Sequence, residues 1–135
     1  MKKLVKKIVV LAAVAAMGLS MIACGKKYSS VADYVKSDEV QSVIDQMSST
    51  LDGTGMSLDI TAKGDKMVYS YKYDDLVKAD GMEESLENAI SAEDATFQET
   101  ANELKKLVKA DSPSVVIEYV DANGDVIFTR EYVAE

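Results

Sequence analysis

Hydrophobic positions recur along this chain in two alternating rhythms, and the alternation lays out the fold. Val40, Val43, Ile44, Met47 and Leu51 fall at i, i+3, i+4, i+7 and i+11, the stripe of an amphipathic helix. Ser37 stands where an N-cap belongs, with Asp38 and Glu39 in the first turn, where the helix dipole favours acids. A shorter helical piece, Val31 to Val35, precedes it behind Ser29 and Ser30. Gly53 and Gly55 stop the main helix. The period then becomes two: Met56, Leu58, Ile60 and Ala62 alternate with Ser57, Asp59 and Thr61. Lys63-Gly64-Asp65 reads as a tight turn, and the returning strand carries Met67, Tyr69, Tyr71 and Tyr73 on one face, with Val68, Ser70 and Lys72 on the other.

The helical rhythm resumes from Met82 to Lys109 through Leu86, Ala89, Ile90, Phe97, Ala101, Leu104 and Val108. Its stripe skips a turn near Glu93-Asp94, which predicts a kink or a break. Asp111-Ser112-Pro113 ends it, and Pro113 is the chain's one proline. Two more strands, Ser114 to Val120 and Val126 to Val133, flank Asp121-Ala122-Asn123-Gly124-Asp125, where Asn-Gly is a strong hairpin signal. The expected architecture is α+β: a two-layer αββαββ sandwich, two helices on one face of a four-stranded antiparallel sheet. The repeated Gly-Asp before each returning strand hints at a duplicated αββ unit. Pattern alone does not order the strands.

The first 23 residues follow neither rhythm. Lys2, Lys3, Lys6 and Lys7 form a positive n-region, and residues 8–22 are apolar or small. As a helix those fifteen residues would span about 22 Å, short of the roughly 30 Å of a bilayer core, so they read as the h-region of a signal peptide. Met21-Ile22-Ala23-Cys24-Gly25 resembles the lipobox of bacterial lipoproteins, with Met21 where leucine is usual. The resemblance implies cleavage between Ala23 and Cys24, a diacylglyceryl thioether on Cys24 and attachment to the extracytoplasmic face of the cell membrane. The alternative is an ordinary signal peptide cut nearby, leaving Cys24 as a free thiol. On this reading residues 1–23 are a cleaved signal, 24–28 a lipidated cysteine with a short tether, and 29–135 one domain. Gly25 to Tyr28 reaches on the order of 14 Å, which keeps the domain close to its membrane.

Removing the signal changes the charge. Four lysines leave, so 11 basic residues face 23 acidic ones and the net charge moves from −8 to −12. So acidic a body argues against nucleic acid as a partner.

The segments Asp33 to Gln41, Met56-Ser57-Leu58 with Met67 to Tyr71, and Ser112 to Val115 through Asn123 to Val126 resemble a domain-of-unknown-function family of small lipoproteins from Gram-positive gut bacteria. The resemblance implies a location and a fold; the family brings no activity with it.

Chemistry is narrowed by what the chain lacks. It has no histidine, which removes Ser-His-Asp and Cys-His catalysis and imidazole metal ligation. Its one cysteine is assigned to lipid, which leaves no thiolate nucleophile and no zinc set. No glycine-rich phosphate loop occurs. No cofactor and no metal is expected. Asp121, Asn123 and Asp125 alternate like calcium-loop ligands, yet the glycine stands fourth rather than sixth and Tyr132 takes the twelfth place, so a polar turn is the preferred reading.

Two surfaces remain as candidate contact faces. Tyr69, Tyr71 and Tyr73 form a ladder able to stack on sugar rings or partner side chains, or else they are the core face beneath the helices, which is the preferred reading. In that case the opposite face, with Asp59, Thr61, Val68, Ser70 and Lys72, is open. The function expected is a non-catalytic, lipid-anchored binding module recognising an envelope protein, a peptide or a glycan. An enzyme with a carboxylate or Ser-Lys site and a structural accessory subunit are the alternatives. A binding module calls for an open face, and an enzyme for a concave pocket with convergent acids.

Overall fold

The computed structural model describes residues 28–53 and 55–135. Ala23, Cys24 and the signal-peptide reading lie outside the described residues. Within them the chain forms, in order, α1 (Val31–Val35), α2 (Asp38–Leu51), β1 (Met56–Lys63), β2 (Lys66–Tyr73), α3 (Met82–Ser91), α4 (Asp94–Leu107), β3 (Ser114–Val120) and β4 (Val126–Val133). None of these helices is long and apolar enough to cross a membrane.

The local signals act as the sequence suggests. Ser30 Oγ accepts the Asp33 N–H at 3.1 Å, and Ser37 Oγ accepts the Val40 N–H at 3.4 Å. The second helical region is broken at Ala92-Glu93, next to the skipped turn in its stripe. Gly64 opens the β1–β2 turn with a φ of 59°, the left-handed value a two-residue type II′ turn requires at its first position. The second hairpin departs from expectation. Asn123 keeps a negative φ, so Asn-Gly does not make a type I′ turn. Instead Gly124 N–H donates to the Asp121 carbonyl at 3.0 Å and Asp121 N–H to the Asp125 carbonyl at 2.9 Å. That is a type I turn closed by a left-handed Gly124 (φ 90°), a three-residue connection.

The sheet order is β1-β2-β3-β4, and it corrects the all-antiparallel expectation. Both hairpins are antiparallel, but β2 and β3 run parallel in register Lys66↔Ser114 to Lys72↔Val120. The reason is the connection. A parallel neighbour needs a crossover of a dozen or more residues, and α3 and α4 supply it. Helix α3 starts beside Val126 and ends beside Arg130, so it carries the chain back along the sheet before β3 begins.

The same arrangement removes the duplicated-unit reading. With β1 antiparallel to β2 and β2 parallel to β3, β3 opposes β1, and both hairpins carry their helices on one face. The two hairpins then have opposite hands relative to the helices, and no rotation superimposes one helix–hairpin unit on the other.

One core joins all elements. Val40, Met47 and Leu51 of α2, Leu86 and Ile90 of α3, and Phe97, Ala101 and Leu104 of α4 meet the inward residues of the four strands. Helices α1 and α2 cover β1, α3 covers β4, and α4 covers β3 and β4. Tyr28, assigned above to the tether, is already part of the fold. Its N–H donates to the Leu107 carbonyl at 2.9 Å, and its carbonyl accepts from Lys109 N–H at 3.1 Å.

Candidate functional site

The tyrosine ladder is the core face. Tyr69, Tyr71 and Tyr73 are at most 2% exposed, so no ligand stacks on them while the helices are in place. Tyr71 and Tyr119 stack at 5.1 Å between ring centroids, and Tyr73 lies 6.1 Å from Tyr119. The hydroxyls of Tyr34, Tyr71, Tyr73 and Tyr119 have no hydrogen-bond partner. Burial pushes the pKa of each upward, as it does for Tyr69.

The opposite face is open and polar. Across the four strands, neighbours form the rows Thr61–Val68–Val116–Glu131 and Asp59–Ser70–Glu118–Thr129. Asp59, Thr61 and Lys72 are exposed and Ser70 is half-buried. Val68 is the exception at 5% exposure, sitting in a shallow depression of about 290 Å³ bordered by Lys63, Lys66, Glu118 and Glu131. Glu131 accepts from Ser114 Oγ at 2.7 Å and pairs with Lys66 at 3.4 Å. The Ser114 hydroxyl, then Lys66, holds its carboxyl below the usual range.

Asp121 is spent on architecture. Its Oδ2 accepts the Lys78 N–H at 2.9 Å, and its Oδ1 accepts those of Asn123 and Asp125, each at 2.9 Å. These amides, Lys78 first, lower its pKa. The carboxylate thus ties the β3–β4 turn to the loop ahead of α3, and the Asp121-Asn123-Asp125 spacing is the spacing of a turn.

A larger concavity than the depression around Val68 lies along β4, which pattern reading did not single out. A groove of about 520 Å³ is floored by residues 126–130 of this edge strand and walled by Glu83 and Glu87 of α3. Lys78 stands at one end. At the other, Arg130 donates to Ser91 Oγ at 2.9 Å and pairs with Asp94 at 3.5 Å, while the Tyr132 hydroxyl donates to Asp94 Oδ1 at 2.6 Å.

The groove runs along the outer edge of the sheet. The Val133 carbonyl turns away from β3 to accept Gln98 Nε2 at 2.7 Å, whereas Ala134 N–H turns inward to the Pro113 carbonyl at 2.9 Å. Alternation then points the N–H and C=O of Glu131 and Thr129 outward, beyond the sheet. The other edge is treated differently. On β1 the outward Ile60 N–H is taken by the side chain of its own neighbour, Asp59 Oδ1, at 3.0 Å. A strand edge occupied by a charged side chain resists pairing, and an open one invites it.

Residues 31–132 of this chain, nearly the whole of the described fold, match the family described as Domain of unknown function (DUF4854). The chain belongs to that family. No curated protein and no solved structure matches it. Membership in an uncharacterised family, as expected, is thereby shown, and the family description carries no activity to transfer. In this DUF4854 domain the tyrosines make the core, the acidic turn makes a loop clamp, and the larger groove belongs to an edge strand and the helix beside it.

Proposed function

We propose that the chain is a lipid-anchored, extracytoplasmic binding module without catalytic activity, cleaved after Ala23 and attached through a diacylglyceryl thioether on Cys24. The observation that carries the binding reading is the groove along β4, walled by α3 and floored by an edge strand with outward backbone groups. Such a surface recognises a macromolecular segment through its shape and main chain rather than converting a small substrate. The lipobox-like Met21 to Gly25 supports the anchor. Because Tyr28 is hydrogen-bonded into the fold, the reach from Cys24 is at most about 14 Å, which suits a partner in the envelope near the membrane.

Intact-mass analysis of protein purified from its own membrane, combined with a pull-down from that membrane, tests the reading. The expected result is a chain beginning at Cys24 with diacylglycerol attached and one stoichiometric envelope partner. A free Cys24 thiol overturns the anchor, and a lipidated chain that returns alone overturns an envelope protein as the partner.

A further inference from the structure

The outward edge of β4 has a chemistry that selects its occupant. Main-chain groups of Thr129 and Glu131 face away from β3, and the groove beside them extends over residues 126–130, about 17 Å of strand. Val126 and Val133, at the two ends of β4, are 44% and 48% exposed. They offer apolar contact where an added strand would enter and leave. Glu83 and Glu87 rise on the α3 wall, both exposed and with no ion-pair partner among the described residues. Two cations also border the groove: Lys78 stands at one end, and at the other the Arg130 guanidinium is held by Ser91 and Asp94, so the α3 wall between them is acidic.

Resting on the binding reading above, we infer that the groove accepts an extended, lysine- or arginine-bearing segment of a partner protein. It would pair as a fifth strand with β4 and set its cationic side chains against Glu83 and Glu87. Main-chain bonds to an edge strand supply affinity, and the flanking wall supplies selectivity. A second copy of the chain is disfavoured in the same place. Residues 28–135 carry 23 acidic and nine basic side chains, and pairing two β4 edges would bring two strongly negative bodies together. On β1 the outward Ile60 N–H is taken by Asp59, whereas on β4 only the Val133 carbonyl, at the strand's end, is taken, by Gln98, which leaves Thr129 and Glu131 as the groups a new strand would pair with.

The test is amide hydrogen exchange of the full chain in detergent micelles, with a capped heptapeptide alternating lysine and valine as the probe. Expected is new protection at Thr129 and Glu131, abolished when alternate peptide nitrogens are methylated. Glu83→Gln with Glu87→Gln, both on the surface, should weaken the probe about tenfold, the weight of two exposed charge pairs. A glutamate–valine heptapeptide should not protect. Thr129→Pro removes an outward N–H without touching the β3 ladder and should also block the probe. Several results overturn the inference: no protection at saturating peptide, equal binding of the methylated probe, or protection that rises with protein concentration alone, the signature of self-pairing. If the membrane pull-down retains a partner whose capture survives Thr129→Pro, the binding module stands and the β4 groove falls.

Discussion

Asp121 shows how one side chain is fixed by backbone. Three amides converge on its carboxylate, and two of them come from its own turn. Asp121→Asn keeps the shape but loses the charge those N–H groups favour, so the loop before α3 should loosen and Tm fall by several degrees. The linkage has a definite sign. A carboxyl whose folded pKa is lowered contributes stability above its unfolded value near 4, and that contribution is lost as pH falls through the folded value. Acid titration of unfolding free energy should therefore be flatter in Asp121→Asn than in the parent below about pH 4. The core tyrosines act in the other direction. Tyr71→Phe or Tyr119→Phe removes a buried hydroxyl without a partner, and the expected gain is about 1 kcal/mol in urea unfolding with m unchanged. Their pKa values are raised by burial, so the folded state should lose stability as pH rises above about 10, an alkaline loss that each Phe variant should reduce. Neither role follows from residue type: an aspartate in a polar turn and a tyrosine in a strand allow both exposed and enclosed positions.

At the scale of elements, the break between α3 and α4 is held by contacts to β4. Tyr132 and Arg130 both reach Asp94, in the first turn of α4, and Arg130 also reaches Ser91 at the end of α3. Phe97 stacks on the Tyr132 ring at 5.3 Å, which binds the same corner through apolar contact. Asp94→Ala should cost about 1–2 kcal/mol through the loss of a charged hydrogen bond and a surface ion pair. Faster hydrogen exchange confined to the first turn of α4 would mark the break as the place that opens. Helix extents, caps and both hairpins were legible from periodicity and turn residues, because those signals act within a few residues of one another. The sheet's parallel seam was not. Whether α3 and α4 return the chain or double it back is decided by what their apolar stripes find on the sheet.

For the molecule as a whole, charge and edges matter most. With 23 acidic against nine basic residues in 28–135, self-repulsion opposes the compact state. Tm at neutral pH should rise as sodium chloride goes from low to about physiological ionic strength, where screening sets in within roughly 8 Å. A fall in Tm over that range would mean that the few ion pairs, Lys66–Glu131 and Arg130–Asp94 among them, outweigh the repulsion.

Short-range order and bulk charge were written along the chain: the N-caps at Ser30 and Ser37, the alternation of Met67 to Tyr73, the skipped turn near Glu93, the acidic balance and the absence of histidine all act locally or by simple count. The tertiary structure alone decided that β2 and β3 run parallel, that the tyrosine face is sealed and that β4 is the open edge. It also decided that Asp94, Arg130 and Tyr132, spread over 39 residues of sequence, share one corner. The physical reason is range. Periodicity reports which side of an element is apolar, whereas edge, neighbour and groove exist only once helices and strands have chosen partners to bury that side against.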